Sequence, residues 1–221
     1  MTERPIIFSV PMIRALLDGR KTQTRRLAWK EKRLANDIAA NKDKMRNGMH
    51  IKVHPTLWQH VRPGDRLWAR EAWAYVHETA YRHDAELPTA ADPNRRGMAA
   101  VYRDGWDRSP PTWRSPIHMP RWASRLTLVV TAARIERLQD ISEDDAVAEG
   151  LVKAANGYFE APGILHPNPD FGHLCRITAR EMYAALWDIL HGSGAWLTNP
   201  EVIVLSFATR KANIDAVEKE A

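Results

Sequence analysis

Apolar residues along this chain come in short runs whose period changes, separated by long polar stretches. "PIIFSV" is a run of β-formers, so residues 6–9 read as a first strand. Pro11 suits the first turn of a helix, and Met12, Ile13, Leu16 and Leu17 make one helical face that Gly19 closes. From Trp29 to His54 the pattern gives way to Lys, Asn and Asp, which reads as an inserted arm, helical in part. Order resumes at "RPGDRLWAREAWAYV". Pro63-Gly64-Asp65 marks a turn, and Leu67, Ala69, Glu71 and Trp73 alternate with Trp68, Arg70 and Ala72 as in a strand with two unlike faces. Residues 77–116 form a second loop-like insertion with one candidate strand, "AAVYR". "RLTLVVTAARIERL", residues 125–138, is the strongest β pattern and is long enough to bend or bulge.

The rest of the chain is mostly helical in pattern. Ser142 can cap a helix with Asp145 at its third position, Ile141 and Ala146 are spaced as a staple, and Gly150 ends it. Residues 151–176, with three prolines, read as a third loop-rich insertion. Thr178 and Glu181 form a capping-box pair ahead of the stripe Met182, Tyr183, Leu186, Trp187 and Leu190. "EVIVLSF" reads as a buried last strand, and the polar tail 210–221 as frayed or helical. This order predicts an α+β fold around a small curved sheet or barrel. It is one domain over residues 1–209, with insertions near 29–56, 77–118 and 151–176.

Charge sharpens the picture. Of 32 Lys+Arg and 27 Asp+Glu, 24 and 13 lie before residue 126 and 8 and 14 after it, so the front half is electropositive. Most of the nine tryptophans share that half. Cations interleaved with rings suit a nucleic-acid partner, and they equally suit indoles in a core with arginines at its rim. The single cysteine, Cys175, excludes an internal disulfide. With no apolar run of membrane length and no signal-like start, the expectation is a cytoplasmic protein without membrane partners. There is no glycine-rich nucleotide loop. The pairs His50/His54 and His173/Cys175 lack further ligands, so neither cofactor nor metal is expected.

The candidate chemistry sits in "LLDGRKTQTRR". A threonine hydroxyl becomes a nucleophile only with a base in reach, and a lysine desolvated in a cleft can be that base. Lys21 and Thr24 share a face if the chain still turns after Gly19, and point apart if it is extended. The bland alternative is a solvated helix exit. Arg26 could bind phosphate or a carbonyl. Glu71, on the strand with Trp68, is a candidate carboxylate bordering the cleft. His118, Arg121 and Trp122, in "HMPRWASR", could form a stacking and phosphate-binding rim, or a packed loop.

With these pieces in order, the sequence resembles the ASCH domain family, which has a PUA-like β-barrel fold. "GRKTQTR" matches its glycine, lysine, threonine and arginine pattern. "RPGDRLWARE", "RIERLQDISEDDAVAEGL" and "NPEVIVLSF" support it. The likeness is strongest to the larger, bacteriophage-encoded ASCH proteins. It implies a PUA-like small β-barrel with flanking helices and long loop insertions. It also implies either amidohydrolysis of N4-acetylcytidine or the binding or cutting of RNA. In the amidohydrolases the motif lysine and threonine act with a glutamate of the short helix. The resemblance carries those roles onto Lys21, Thr24 and Glu149, with Glu71 competing for the last. The expected partner is a modified nucleoside or RNA. A non-catalytic RNA-binding module and a ribonuclease remain open beside the hydrolase.

Overall fold

The computed structural model describes residues 1–33, 50–81, 87–165 and 173–217. In chain order its elements are β1 (Glu3–Ile7), α1 (Val10–Leu17), β2 (Gln23–Leu27), β3 (Trp29–Arg33), β4 (His50–Pro55), β5 (Arg66–Arg70), β6 (Trp73–His77), β7 (Thr89–Ala91), β8 (Met98–Tyr102), β9 (Thr127–Arg137), α2 (Glu143–Ala148), β10 (Val152–Lys153), β11 (Phe159–Leu165), β12 (His173–Arg176), α3 (Ala179–His191) and β13 (Glu201–Arg210).

The body is a five-stranded sheet in the order β1-β5-β9-β13-β2, parallel between β1 and β5 and antiparallel elsewhere. β13 is its spine. Ile203, Leu205 and Phe207 face a core with Ile6, Ile13, Leu16, Leu67 and Leu128. Val202 and Val204 face a second core with Leu138, Ala146, Met182, Leu186 and Trp187. A strand buried on both faces must be apolar at successive positions, which is why "VIVL" runs without alternation. β9 pairs with β13 through a register shift, with Val130 opposite Phe207 and Ala132 opposite Ser206. Thr131 is the extra residue of a bulge, as the length of the pattern predicted.

The helices form where their caps predicted. The Ser142 hydroxyl accepts the Asp145 N–H at the start of α2, and Thr178 and Glu181 complete the capping box of α3. α3 buries Met182, Tyr183, Leu186 and Trp187, while Leu190 at its end is exposed. No helix among the described residues is long and apolar enough to cross a membrane.

Four expectations change. The fold is mixed α and β, but among the described residues no sheet closes on itself, and β1 and β2 are the edges of the main one. Residues 67–73 are not one strand. β5 ends at Arg70 and β6 starts at Trp73, because the chain turns at Glu71 to found a second sheet, β6-β8-β7. The insertions hold small sheets, β3-β4, β6-β8-β7 and β10-β11-β12, of which only the strand at "AAVYR", present as β8, was expected. Glycine and proline in "FEAPGIL" hide β11 from a pattern reading, since its register shifts between Glu160 and Leu165. The helical reading of the arm's centre falls on 34–49, outside the described residues. Finally, the tail up to residue 217 is docked. Ile214 is fully buried, and the Asn213 side chain donates to the carbonyls of Arg121, Trp122 and Ser124.

Candidate active site

Two glycines set the geometry. α1 ends at Leu17 with Asp18 as its C-cap, and Gly19 takes a left-handed φ of 72° that reverses the chain. Lys21 then donates its N–H to Ala15, and Thr22 to Ala148, so the start of β2 is stitched to both helices. Lys21 and Glu149 form an antiparallel bridge. Gly150 (φ 106°) lies so close that an added Cβ would stand 3.1 Å from Ala15 Cβ and 3.3 Å from Lys21 Cβ. The end of α2 can therefore press against Lys21 only because residue 150 has no side chain.

This brings the Lys21 ammonium 2.6 Å from Glu149 Oε2 and 2.9 Å from the Glu149 carbonyl. The other carboxylate oxygen, Oε1, accepts from Arg25 Nη1 and from the Tyr183 hydroxyl, each at 3.3 Å. Arg25 continues outward to Glu136 at 2.7 Å and Asp145 at 3.0 Å, and to Gln23 Oε1 at 2.7 Å. Lys21 is 2% exposed and Glu149 4%. Burial pulls the Lys21 pKa below its ordinary value, although Glu149 opposes the shift. Burial and the Glu149 charge push the Tyr183 phenol well above its usual range. For Arg25 burial works against the cation, but Glu149, Tyr183 and Glu136 outweigh it and the pKa rises.

The pair opens onto a cleft of about 130 Å³. Phe8, Ser9 and Met12 line it from around the start of α1, Tyr183, Leu186, Trp187 and His191 from α3, and between them stand the buried Lys21 and Thr24 and the half-buried Arg26. The chain is extended from Gln23 onward, the case expected to separate Lys21 from Thr24. Lys21 precedes the strand, however, and both residues line the cleft. Thr24 is 4% exposed, and its hydroxyl makes no hydrogen bond among the described residues. Arg26 is half-buried, donates to the Ile7 carbonyl at 2.8 Å, and lies 5.2 Å from the Phe8 ring and 5.7 Å from Trp58.

Lys21, Thr24, Arg26 and Glu149 are thus together, and the other candidates lie elsewhere. Trp68 is buried in β5 with the Arg70 guanidinium 4.4 Å from its ring. Glu71, 1% exposed, is held by Arg125 through two 2.8 Å bonds. His118 is exposed, Arg121 pairs with Glu3 and Asp215, and the half-buried Trp122 packs edge-on at 6.4 Å from Tyr75. None of these five lines the cleft, so the wall expected from residues 67–73 is supplied instead by α3 and the β1–α1 connection. Tyr183 was hidden in the sequence as one more member of an apolar stripe. Its only signal was a hydroxyl that must find a partner when buried. Among the described residues no three His, Cys, Asp or Glu side chains gather as metal ligands.

Compared with protein-family models, curated proteins and solved structures, the chain matches none.

Proposed function

We propose that this cleft hydrolyses an acyl amide on the exocyclic amine of a modified cytidine such as N4-acetylcytidine, and that the chain is an ASCH-type module of PUA-like architecture. The observation that carries the reading is the buried Lys21–Glu149 pair, 2.6 Å apart, in a cleft that also holds an uncommitted Thr24 hydroxyl. Burial favours the neutral amine of Lys21, the form that can take a proton.

The reaction runs in two halves. Lys21 passes its proton to Glu149 and turns its free amine to Thr24. The Thr24 oxygen attacks the acyl carbon and gives its proton to Lys21. As the carbon–nitrogen bond breaks, the departing amine takes a proton from Glu149, leaving an acyl ester on Thr24. Water then attacks the ester and yields its proton through the same pair. The carboxylic acid leaves and the Thr24 hydroxyl is restored. Charge growing on the carbonyl oxygen meets the cationic wall of Lys21 and Arg25.

One observation favours a second reading, ligand binding without turnover. Lys21 donates to both the carbonyl and the carboxylate of Glu149, as a strut joining β2 to α2 would. Incubation with N4-acetylcytidine and with an RNA oligomer separates these readings. Free cytidine with acetate is the expected product. A ligand bound and recovered intact would establish the strut, and cut RNA a ribonuclease. Glu149→Gln should cut kcat by about 10²–10⁴ while the protein still binds its ligand.

A further inference from the structure

We propose that the rim of the cleft is an anion subsite, built by Arg26 and the opening of α1, and that it takes a phosphate carried by the ligand. The inference rests on the nucleobase reading of the cleft. It makes the ligand a nucleotide, free or within RNA, in preference to a bare nucleoside.

Among the described residues, Arg26 is the one cation of this cleft without a carboxylate. Lys21 has Glu149, and Arg25 has Glu136, Asp145 and Glu149. The only hydrogen bond of the Arg26 side chain to a described residue goes to the Ile7 carbonyl, and its buried Nε has no partner. Burial holds its pKa below the ordinary value, with Glu149 and Tyr183 pulling the other way. A desolvated guanidinium without a counter-ion is costly, and an incoming anion removes that cost. Arginine's planar fork matches phosphate oxygens.

The second component is independent of the first. Ser9 lines the same cleft and is the N-cap of α1, yet its side chain caps nothing, and no acidic residue stands in the first turn. Pro11 carries no N–H and Ile13 donates to the Ser9 carbonyl, so the first turn of this eight-residue helix offers the N–H groups of Val10 and Met12, with the positive end of the dipole, to the cleft that Arg26 also lines. Across the rim, His191 stacks on Trp187 at 4.0 Å. Burial, and then the Arg26 charge, lower its pKa, so it stays neutral near pH 7. Size agrees with the assignment. A cleft of about 130 Å³ is smaller than the roughly 300–1,000 Å³ that encloses a drug-sized ligand. It can admit the reacting end of a base and leave sugar and phosphate at the rim, where Arg26 and Ser9 stand.

The test uses ligands without an acyl group, so that binding is read separately from turnover. Cytidine, cytidine 5′-monophosphate, cytidine 3′-monophosphate and a short cytidine-containing RNA are titrated into the full chain by calorimetry at two salt concentrations. At least one phosphorylated ligand should bind about tenfold or more tighter than cytidine, with an advantage that shrinks as salt rises. A preference shown by a mononucleotide identifies a free nucleotide as the source of the phosphate, and one confined to the oligomer identifies RNA. Arg26→Gln should bring the preference close to one, and Arg26→Lys should keep part of it. Ser9→Glu, on an exposed residue, should erase it by placing a carboxylate at the rim. Equal affinities in the wild-type chain, no detectable binding of any phosphorylated ligand, or a preference that survives both Arg26→Gln and Ser9→Glu would overturn the subsite. A phosphate preference without amide hydrolysis would leave the subsite standing and remove the hydrolase. Hydrolysis of N4-acetylcytidine and its monophosphates at equal kcat/KM would do the reverse.

Discussion

Among the described residues, buried ion-paired carboxylates gather at two centres, one around Glu71 and one around Glu149, and the centres differ in what their protons can do. Glu71 sits at the corner between β5 and β6, gripped by Arg125, whose guanidinium stacks 4.2 Å from the Tyr102 ring. Asp104 beside it accepts from Arg14 at 2.8 Å. Both basic partners are arginines, which keep their protons at any working pH. Glu149 receives a lysine, an arginine and a phenol, each through a different geometry. Lysine is the cation that burial can neutralise, and it faces a cleft that a ligand can enter. A fixed-charge centre holds a corner of the chain in place. A centre with a movable proton can do chemistry.

Paired substitutions test that distinction most severely. Replacing a whole buried ion pair with apolar groups of similar size is often neutral for stability, whereas removing one partner costs about 3–5 kcal/mol. Glu71→Leu with Arg125→Met should therefore keep both the fold and kcat. Lys21→Met with Glu149→Leu should also stay folded, but lose about 10²–10⁴ in kcat on N4-acetylcytidine. Thermal melts and steady-state kinetics on both doubles decide it. Equal loss of kcat in the two would erase the distinction.

The centres should also respond to pH with opposite sign. The pKa of Lys21 is lower folded than unfolded, so between those values the unfolded chain binds more protons and stability rises with pH, up to about 10.4. The pKa of Glu71 is raised, chiefly by burial, with Arg125 opposing. Its contribution is fully present below about pH 4.3 and is lost as pH rises through the folded value. Denaturant melts across pH should show the alkaline rise vanish in Lys21→Met and the acid-side fall flatten in Glu71→Gln. The rate should stay level with pH below the Lys21 pKa, where the pair keeps its shared proton, and fall above it, where Glu149 has none to give the leaving amine. A kcat that climbs with pH through that range would remove the shared proton from the mechanism.

The sequence revealed more of one centre than of the other. Lys21, Thr24 and Arg26 share one short motif, and the carboxylate placed by resemblance, Glu149, ends a helix whose Ser142 cap was legible. Glu71 sat in a stretch that alternates like a strand, so the corner after Arg70 was invisible. What turns the chain there is tertiary, an ion pair to Arg125 and an N–H aimed at Met119 Sδ at 3.3 Å. The insertions hid their strands for another reason, which is length. β10 has two residues and β7 three, too short for periodicity to register, although each pairs with the next strand along the chain.

The smallest effect comes from the donor that only the open centre has. The Tyr183 hydroxyl meets Glu149 Oε1 at 3.3 Å, a long bond, while the ring packs on Trp187 and Trp196. Tyr183→Phe keeps those ring contacts and removes one hydrogen bond, worth about 0.5–1.5 kcal/mol. Glu149 retains Lys21 and Arg25, so neither charge is left unpaired. If the phenol merely fills space, stability shifts slightly and the rate does not. If it orients the carboxylate toward Lys21, kcat should fall about threefold to tenfold with KM unchanged, because the contact matters only while the proton moves. The pH–rate limb should shift as well, since the neutral phenol donates to Oε1 and stabilises the ionised carboxylate that Lys21 faces. A matching loss in kcat and a moved limb assign Tyr183 as a positioning residue. An unchanged limb with lowered stability returns it to the apolar stripe from which the sequence could not distinguish it.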